Sequence, residues 1–558
     1  MKLLVLGQRY KVWRLQPNEA DKATIAKLSE VLLASSSVGQ SGEDIFSITK
    51  TKDEVSVVAS ENLVDSILGG KKVEEGWRAF KVCGPLDFGL VGILADLTSV
   101  LARAKICVFT VSTYDTDYIL VKDDKLEPAV VALTEYGHSI LNSPVTGAQP
   151  VAKGGKGETC DDVVAGFRPF GVERYFAKYE FSAPCLLCCS DCNPLTLKEL
   201  LSFSDDESLQ LWNNLSLGYT ESKGLPLLRE EIINMYNSER LGLLNAVESS
   251  VGVEKLEVED ALVVCPIEGI YLTARALLQA DDEIIVVSPS YQSLFEVARS
   301  IGCDIKEWKY KMVEGNNSEL EVSFDVGDLE KLFSSKTKLV VVNFPHNPTG
   351  AILSMQDWIN LVNLCRKNGC YLFSDEMYRG LEHKGHPTLP SASQIYENAI
   401  TLSGVSKTLG LPGLRIGWLL TRSKKVMQRI GQLKDYTTIC SSAPSEVLAV
   451  MGIRQRQRLI ESNLALIQSN YEALQDFVSK HKSRFVLSTL QAGSTVYLNL
   501  LNEDAYDFAE RVANEAGTML LPSKVFSDSS ADNHLRIGLG RKNVPLILDR
   551  LDKYLSQL

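Results

Sequence analysis

No apolar run in the 558 residues reaches the roughly 20 residues that a membrane-crossing helix needs. The opening stretch, Met1 to Gly7, is too short for a signal-peptide core, and Arg9, Lys11 and Arg14 follow it closely. No block of Lys and Arg occurs and the net charge is -12, which argues against a nucleic-acid-binding surface. The twelve cysteines are scattered, mostly in apolar runs, without the regular spacing of a disulfide framework. Cytoplasm is the expected location. Asn214-Leu-Ser216 and Asn316-Asn-Ser318 fit the glycosylation pattern but carry no weight without secretion. With 45% apolar and 23% charged residues, the composition is that of an ordinary globular protein. The length exceeds what one core supports and predicts two to four domains.

Four polar blocks lie between Asn343 and Trp418: Asn343-Phe-Pro-His-Asn-Pro-Thr-Gly350, Ser374-Asp-Glu-Met-Tyr378, Ser403-Gly-Val-Ser-Lys407 and Gly413-Leu-Arg-Ile-Gly-Trp418. Short apolar runs lead into the first three: Leu339 to Val342, Cys370 to Phe373 and Ala399 to Leu402. Buried strands alternating with helices predict a mostly parallel α/β sheet covered on both faces. Ligands collect beyond the carboxyl ends of such strands, so the blocks predict one site. The chemistry available there is specific. A lysine amine forms a Schiff base with a carbonyl cofactor, and a carboxylate keeps a pyridine nitrogen protonated.

In order and spacing, these blocks resemble those of the fold-type I pyridoxal-phosphate (PLP) enzymes, the class I/II aminotransferases. Lys407 and Arg415 are eight residues apart, and Asn347 and Asp375 twenty-eight, as in that family. The resemblance covers roughly the last two-thirds of the chain and implies PLP as cofactor. It makes Lys407 the Schiff-base lysine and proton shuttle, and pairs Asp375 with the ring nitrogen. Asn347 and Tyr378 would bond the phenolic oxygen, and Arg415 the phosphate. Gly269 and Ile270, at a helix start after the strand Ala261 to Pro266, would cradle that phosphate on backbone N–H groups. Tyr291 matches the aromatic that stacks on the ring. Tyr219 matches the tyrosine that reaches the partner subunit's cofactor phosphate, which implies a homodimer. Arg536, in Asn533-His-Leu-Arg-Ile-Gly-Leu-Gly-Arg541, matches the arginine that takes the substrate α-carboxylate through a bidentate fork. Arg541 is a second candidate for that task.

One departure stands out. Many family members carry a phosphate-binding serine three residues before the lysine, where this chain has Gly404. Ser406 and Ser403 are the nearby substitutes. Glu376 reads equally as solvated, Lys424, Lys425 and Lys434 as surface lysines, and Asp532 and His534 as turn residues.

Residues 1–140 follow a different pattern. Trp77 to Val82 alternates like a strand, Gly84-Pro-Leu-Asp-Phe-Gly89 turns into a helix over Leu90 to Ala104, and Cys107 to Val111 with Tyr118 to Val121 reads as a hairpin. A helix follows over about Leu126 to Tyr136. Phe46 to Val58 recurs in pattern as Phe109 to Val121, sixty-three residues on, which predicts two copies of one small α+β unit. Gly84-Pro-Leu-Asp-Phe88 and Ser112-Thr-Tyr-Asp-Thr-Asp117 resemble ACT domains of the tandem kind found in the CASTOR amino-acid sensors. That resemblance implies a ferredoxin-like module with an amino-acid effector at an interface, Asp115 or Asp117 taking a cationic group. Packing or dimerisation alone is the other reading.

Residues 141–170 read as linker, rich in Gly, Pro and Lys. Gly154-Gly-Lys-Gly-Glu-Thr159 lacks the ending of a phosphate loop. Cys185, Cys188, Cys189 and Cys192 lack the separated knuckles of a zinc site and read as small residues near the PLP pocket, so no metal is expected. Residues 171–558 make the enzyme module: a large domain over about 215–435, and a small one from 171–214 plus 436–558.

The reading is a PLP-dependent aminotransferase acting on an amino acid and a 2-oxo acid, with regulation through the ACT-like module. A second reading rests on Gly404-Val-Ser-Lys407 and Tyr291-Gln-Ser-Leu294, which resemble capreomycidine synthase-like proteins. These eliminate a β-substituent and cyclise an arginine derivative. A third is an amino-acid sensor with an inactive transferase domain, which the intact set Asn347, Asp375, Tyr378, Lys407, Arg415 and Arg536 opposes.

Overall fold

The structure, a computed structural model, describes residues 2–15, 24, 27–28, 45–61, 63–68, 71–83, 93–114, 116–135, 138–141, 166–180, 183–243, 252–315, 319–526 and 533–557. The chain folds into two compact units, Met1–Gly157 and Glu158–Leu558.

In the first unit, seven strands form one sheet: β1 (Lys2–Leu15), β2 (Ser47–Lys50), β3 (Val55–Ser60), β4 (Lys72–Val82), β5 (Val108–Ser112), β6 (Asp117–Lys122) and β7 (Ser139–Leu141). Their order is β2-β3-β1-β4-β6-β5, with β7 parallel to β1. The two hairpins, β2–β3 and β5–β6, flank the antiparallel pair β1–β4 on opposite sides. Each element of the second hairpin lies roughly sixty residues after its counterpart. The helices Ile93–Arg103 and Leu126–Glu135 pack on Leu3, Val5, Phe80, Val82, Ile119 and Val121, the inward positions of alternating strands. The Gly84 to Gly89 turn and Asp115 lie outside the described residues, as does the glycine-rich stretch at 154–159.

The expected linker ends earlier than Phe170. Arg168 N donates to Glu296 Oε1 (2.9 Å), Gln292 Nε2 to the Pro169 carbonyl (3.0 Å) and Gly171 N to Gln292 Oε1 (2.8 Å), so 168–171 is already docked.

The second unit is built on a seven-stranded sheet: β8 (Ala261–Val264), β9 (Glu283–Ser288), β10 (Asp304–Lys309), β11 (Thr337–Asn343), β12 (Tyr371–Asp375), β13 (Ala399–Gly404) and β14 (Gly417–Leu420). Its order is β10-β9-β11-β12-β13-β14-β8. Pairing is parallel from β10 to β13, and β14 is antiparallel to both its neighbours. Every residue of β9 and β13 is buried, as expected of strands covered on both faces. Alternate residues feed two cores. Ile284, Val286, Leu339 and Val341 face one; Ile285, Val287, Val340 and Val342 face the other.

A four-stranded antiparallel sheet follows near the C-terminus: β15 (Phe485–Leu487), β16 (Thr495–Leu500), β17 (Leu521–Pro522) and β18 (His534–Gly538), in order β15-β16-β18-β17. The cores divide the chain differently from the expected large and small domains. The helix Gly171–Tyr179 packs through Val172, Tyr175 and Tyr179 with Met519 and Leu521. Leu200, however, packs with Leu228, Val263 and Trp418 of the central sheet, as does Val450 of the helix Ala443–Arg454. Residues near 200 and 450 therefore belong with the large part. Among the expected surface residues, Lys434 is buried and donates to the Ile439 carbonyl at 3.0 Å. His534 sits inside β18, stacked on Tyr497 at 4.9 Å, and Asp532 lies outside the described residues.

Candidate active site

Three parallel strands, β11, β12 and β13, end side by side, and the loops that leave them open into one cleft of about 430 Å³. Asn347, Asp375, Tyr378, Ser406, Lys407, Arg415, Tyr291, Ile270 and Arg536 all line it. Two of the expected residues do not: Gly269 and Tyr219.

Asp375 is the last residue of β12 and is buried. Its Oδ1 accepts from Met377 N at 3.0 Å. Burial pushes its carboxyl up to about 7, opposed by that N–H and by the Lys407 charge. Asn343, at the end of β11, ties the neighbouring loops together. Its Nδ2 donates to the Asp375 carbonyl (3.0 Å) and its Oδ1 accepts from Asn347 N (2.8 Å). The Asn347 side chain in turn accepts from Arg536 Nη1 at 2.9 Å. Arg536 Nη2 donates to the Cys188 carbonyl at 2.8 Å, and its Nε is buried without a partner. The Tyr378 hydroxyl is likewise buried and unpartnered. Lys407 Nζ donates to Ser190 Oγ at 3.1 Å, and the Ser190 carbonyl is fixed by the Ser494 hydroxyl at 2.7 Å.

An anion-favouring corner lies at the other end of the cleft. The helix there runs over Pro266–Leu277, so it begins three residues before the expected glycine. Pro266 and Ile267 line the cleft, and a first-turn N–H has no partner inside its helix. Gly269 N is already taken by the Cys265 carbonyl at 2.9 Å. The need for glycine at 269 is packing: a Cβ there would meet Val264 at 3.0 Å and Leu402 at 3.2 Å, where the helix presses on the sheet. Arg415, held in the left-handed region at φ 57, donates to Cys265 Sγ at 3.3 Å and so sits against the same helix start.

The structure also explains Gly404. A Cβ there would come within 2.9 Å of the carbonyl of Ile416, the residue just before β14, and 3.0 Å of the Gly417 Cα, so the position cannot carry a serine without displacing that strand. The Ser403 hydroxyl is committed to the Glu376 carbonyl at 3.2 Å, and of the two substitutes it is Ser406 that lines the cleft. Glu376 is buried rather than solvated, accepting from Ala392 N (3.0 Å) and Ser391 Oγ (3.2 Å). Tyr291 is held by Glu173, which accepts from its hydroxyl at 3.0 Å, and by Phe170, whose ring lies 4.9 Å away at 50°. Tyr219 stands 93% exposed on a loop.

Reading the sequence missed Ser190, Asp191, Glu173 and Glu180, all on the cleft wall. They lie among the four cysteines and on the helix before them or, for Glu180, just past its end, where no spacing signal points to a site. Among the described residues, no group of three or more His, Cys, Asp or Glu is arranged to hold a metal. Cys188 and Cys192 are fully buried, and Cys189 lines the cleft.

The donor set fits PLP. A primary amine, a buried carboxyl able to meet a ring cation, an unpartnered buried phenol, and an arginine beside a helix start match the carbonyl, ring nitrogen, phenolic oxygen and phosphate of that molecule. The raised Asp375 carboxyl has a measurable consequence. Its protonated form is favoured in the fold, so its burial costs nothing below the unfolded pKa near 4 and its full amount above about 7. In protein stripped of small molecules, Asp375→Asn should be more stable than wild type at pH 8, by about 4 kcal/mol, with the gap closing towards pH 4. Denaturant unfolding across that range reads it; equal stability at both ends would contradict the assigned burial.

Comparison with known proteins agrees with this geometry. Residues 204–549 match the family model for aminotransferase class I and II, and residues 72–135 match an ACT domain. Capreomycidine synthase from Streptomyces vinaceus is 29% identical over 272 residues, covering 49% of this chain and 67% of that protein. Aspartate aminotransferase from Thermotoga maritima is 23% identical over 355 residues, covering 63% of this chain and 85% of that protein. A PLP-dependent aminotransferase from Streptococcus suis has a similar fold, with a TM-score of 0.60 at 24% identity over 70% of this chain and 98% of its own. The chain belongs to the class I and II aminotransferase family and is a PLP-dependent transferase that carries an ACT domain ahead of its enzyme unit.

Proposed function

We propose that the second unit transfers an amino group between an amino acid and a 2-oxo acid. The observation that carries this reading is the convergence of Asn347, Asp375, Tyr378, Lys407, Arg415 and Arg536 on one cleft from separate stretches of the chain. PLP supplies the carbonyl that accepts the amino group and the ring that holds the electron pair released at the α-carbon. Arg415, Ser406 and the first turn of the helix Pro266–Leu277 hold the phosphate. Asp375 stays ionised against the ring nitrogen. Asn347 and Tyr378 bond the phenolic oxygen, and Tyr291 walls one side of the ring. Arg536 grips the substrate α-carboxylate; Asn347 and the Cys188 carbonyl fix its guanidinium, and its free Nε is a ready donor. Lys407 would take the α-proton and deliver it to the cofactor's former carbonyl carbon, across the nitrogen from the α-carbon, with Ser190 steering its amine.

A second reading, elimination and cyclisation of an arginine-type amino acid, draws on the acids at the cleft. Glu173 and Glu180 line it, and Glu173 accepts from the Tyr291 hydroxyl, so the wall suits a cationic side chain.

For the pair of subunits, exposed Tyr219, Leu217 (84%) and Tyr436 (89%) favour a homodimer in which Tyr219 reaches the partner's cleft. For regulation, the ACT domain favours an amino-acid effector.

Five measurements bear on these statements. Lys407→Ala should lose the visible band of the bound cofactor and at least about 10³-fold in turnover, as general-base removal predicts. Arg536→Lys should raise KM for the amino acid by about tenfold or more through loss of the bidentate fork. Release of a keto acid identifies transamination, whereas arginine consumed without keto acid would favour the second reading. Light scattering should give a dimer for wild type and a weakened one for Tyr219→Ala; a monomeric wild type would refute the shared cleft. Titrating amino acids into the full chain should change the melting temperature of the Met1–Gly157 unit, and the absence of any shift would remove the effector.

A further inference from the structure

The cleft holds one ion pair that the proposed chemistry leaves unused. Arg541 Nη2 lies 2.9 Å from each oxygen of Asp191, and both residues line the cleft. The side chains are 27% and 12% exposed, so the pair is largely shielded from water. Arg541 Nε is buried without a partner, which leaves this guanidinium short of acceptors even with Asp191 in place.

The pair is built in from both sides. Asn470 Nδ2 donates to the Leu539 and Arg541 carbonyls at 2.8 Å each, fixing the backbone that carries the arginine. Gly540 lies flat against the Asp191 backbone, where a Cβ would come within 2.6 Å of the Asp191 carbonyl. Asp191 also adjoins Ser190, the partner of the Lys407 amine, so the pair stands beside the reacting end of the cleft.

We infer that Asp191 is a specificity-determining residue: by occupying Arg541 it removes the cation that would otherwise receive a second, side-chain carboxylate, and so it excludes dicarboxylic substrates. The inference rests on the proposed docking of the α-carboxylate at Arg536. With that carboxylate placed, a side-chain carboxylate has Arg541 as its further cationic partner on the wall. It must then displace Asp191 or face it as a like charge. Either costs affinity, and Glu173 and Glu180 on the same wall add to the repulsion. An uncharged or cationic side chain meets no such penalty. The exclusion comes from charge and not from shape, so removing the Asp191 charge should reverse it.

The test uses the full-length holoenzyme and two probes of four carbons, butyrate and succinate, with binding followed by calorimetry. Wild type should bind butyrate at least as tightly as succinate. In Asp191→Asn the succinate-to-butyrate affinity ratio should rise about tenfold or more, the scale on which a like-charge clash discriminates. Adding Arg541→Gln to that variant should return the ratio to its wild-type value. Tighter succinate binding by wild type overturns the inference without any variant. An unchanged ratio in Asp191→Asn, or a rise that survives Arg541→Gln, overturns it while leaving docking at Arg536 standing. Failure of wild type to bind either probe refutes docking at Arg536, and this inference with it.

Discussion

The cleft depends on one close approach. The segment from Leu187 to Cys192 lies against the end of β18 with no space between the backbones. A Cβ at Gly538 would come within 1.8 Å of the Cys189 carbonyl, and one at Gly540 within 2.8 Å of the Cys192 Cα. Gly538 N donates to the Leu187 carbonyl at 2.8 Å and locks the register. Only a residue without a side chain permits this contact. Through it, the Cys188 carbonyl reaches Arg536, the Ser190 hydroxyl reaches Lys407 and the Asp191 carboxylate reaches Arg541. Widening the gap by one methyl group would pull all three partners from their cations.

The same contact sets the electrostatics. Lys407, Arg415, Arg536 and Arg541 line one cleft and would repel one another in an apolar wall. Each is instead given acceptors: a hydroxyl, a thiol with a carbonyl, an amide oxygen with a carbonyl, and a carboxylate. Asp375 is placed oppositely, with a single backbone N–H and little else, and so is pushed up towards neutrality. A buried group that is costly to ionise alone becomes favourable to ionise beside a ring cation, which is how a binding site differs from a structural ion pair.

Much of this was legible beforehand. The strands ending at Asn343, Asp375 and Gly404 are apolar runs interrupted by polar residues, and that pattern fixes both their period and their functional ends. In the first unit, the two stretches that echo each other in sequence, Phe46 to Val58 and Phe109 to Val121, each contain an antiparallel strand pairing. The errors have local causes. Gly269 reads as a phosphate glycine because the sequence does not reveal that Pro266 already starts the helix. Glu376 and Lys434 read as surface residues because their charge says outside, while their partners, Ser391 and the Ile439 carbonyl, are found only in the folded chain.

By itself, the sequence determined where the apolar strands Thr337–Asn343, Tyr371–Asp375 and Ala399–Gly404 run and which polar residues follow them, because each is written within a few residues of chain. Only the tertiary structure decided what stands around those groups. Ser190 lies 217 residues from Lys407, and Asp191 lies 350 from Arg541. No periodicity spans such distances. Their meeting follows from two glycines that let one backbone rest on another, and that fit exists only once the sheets have formed.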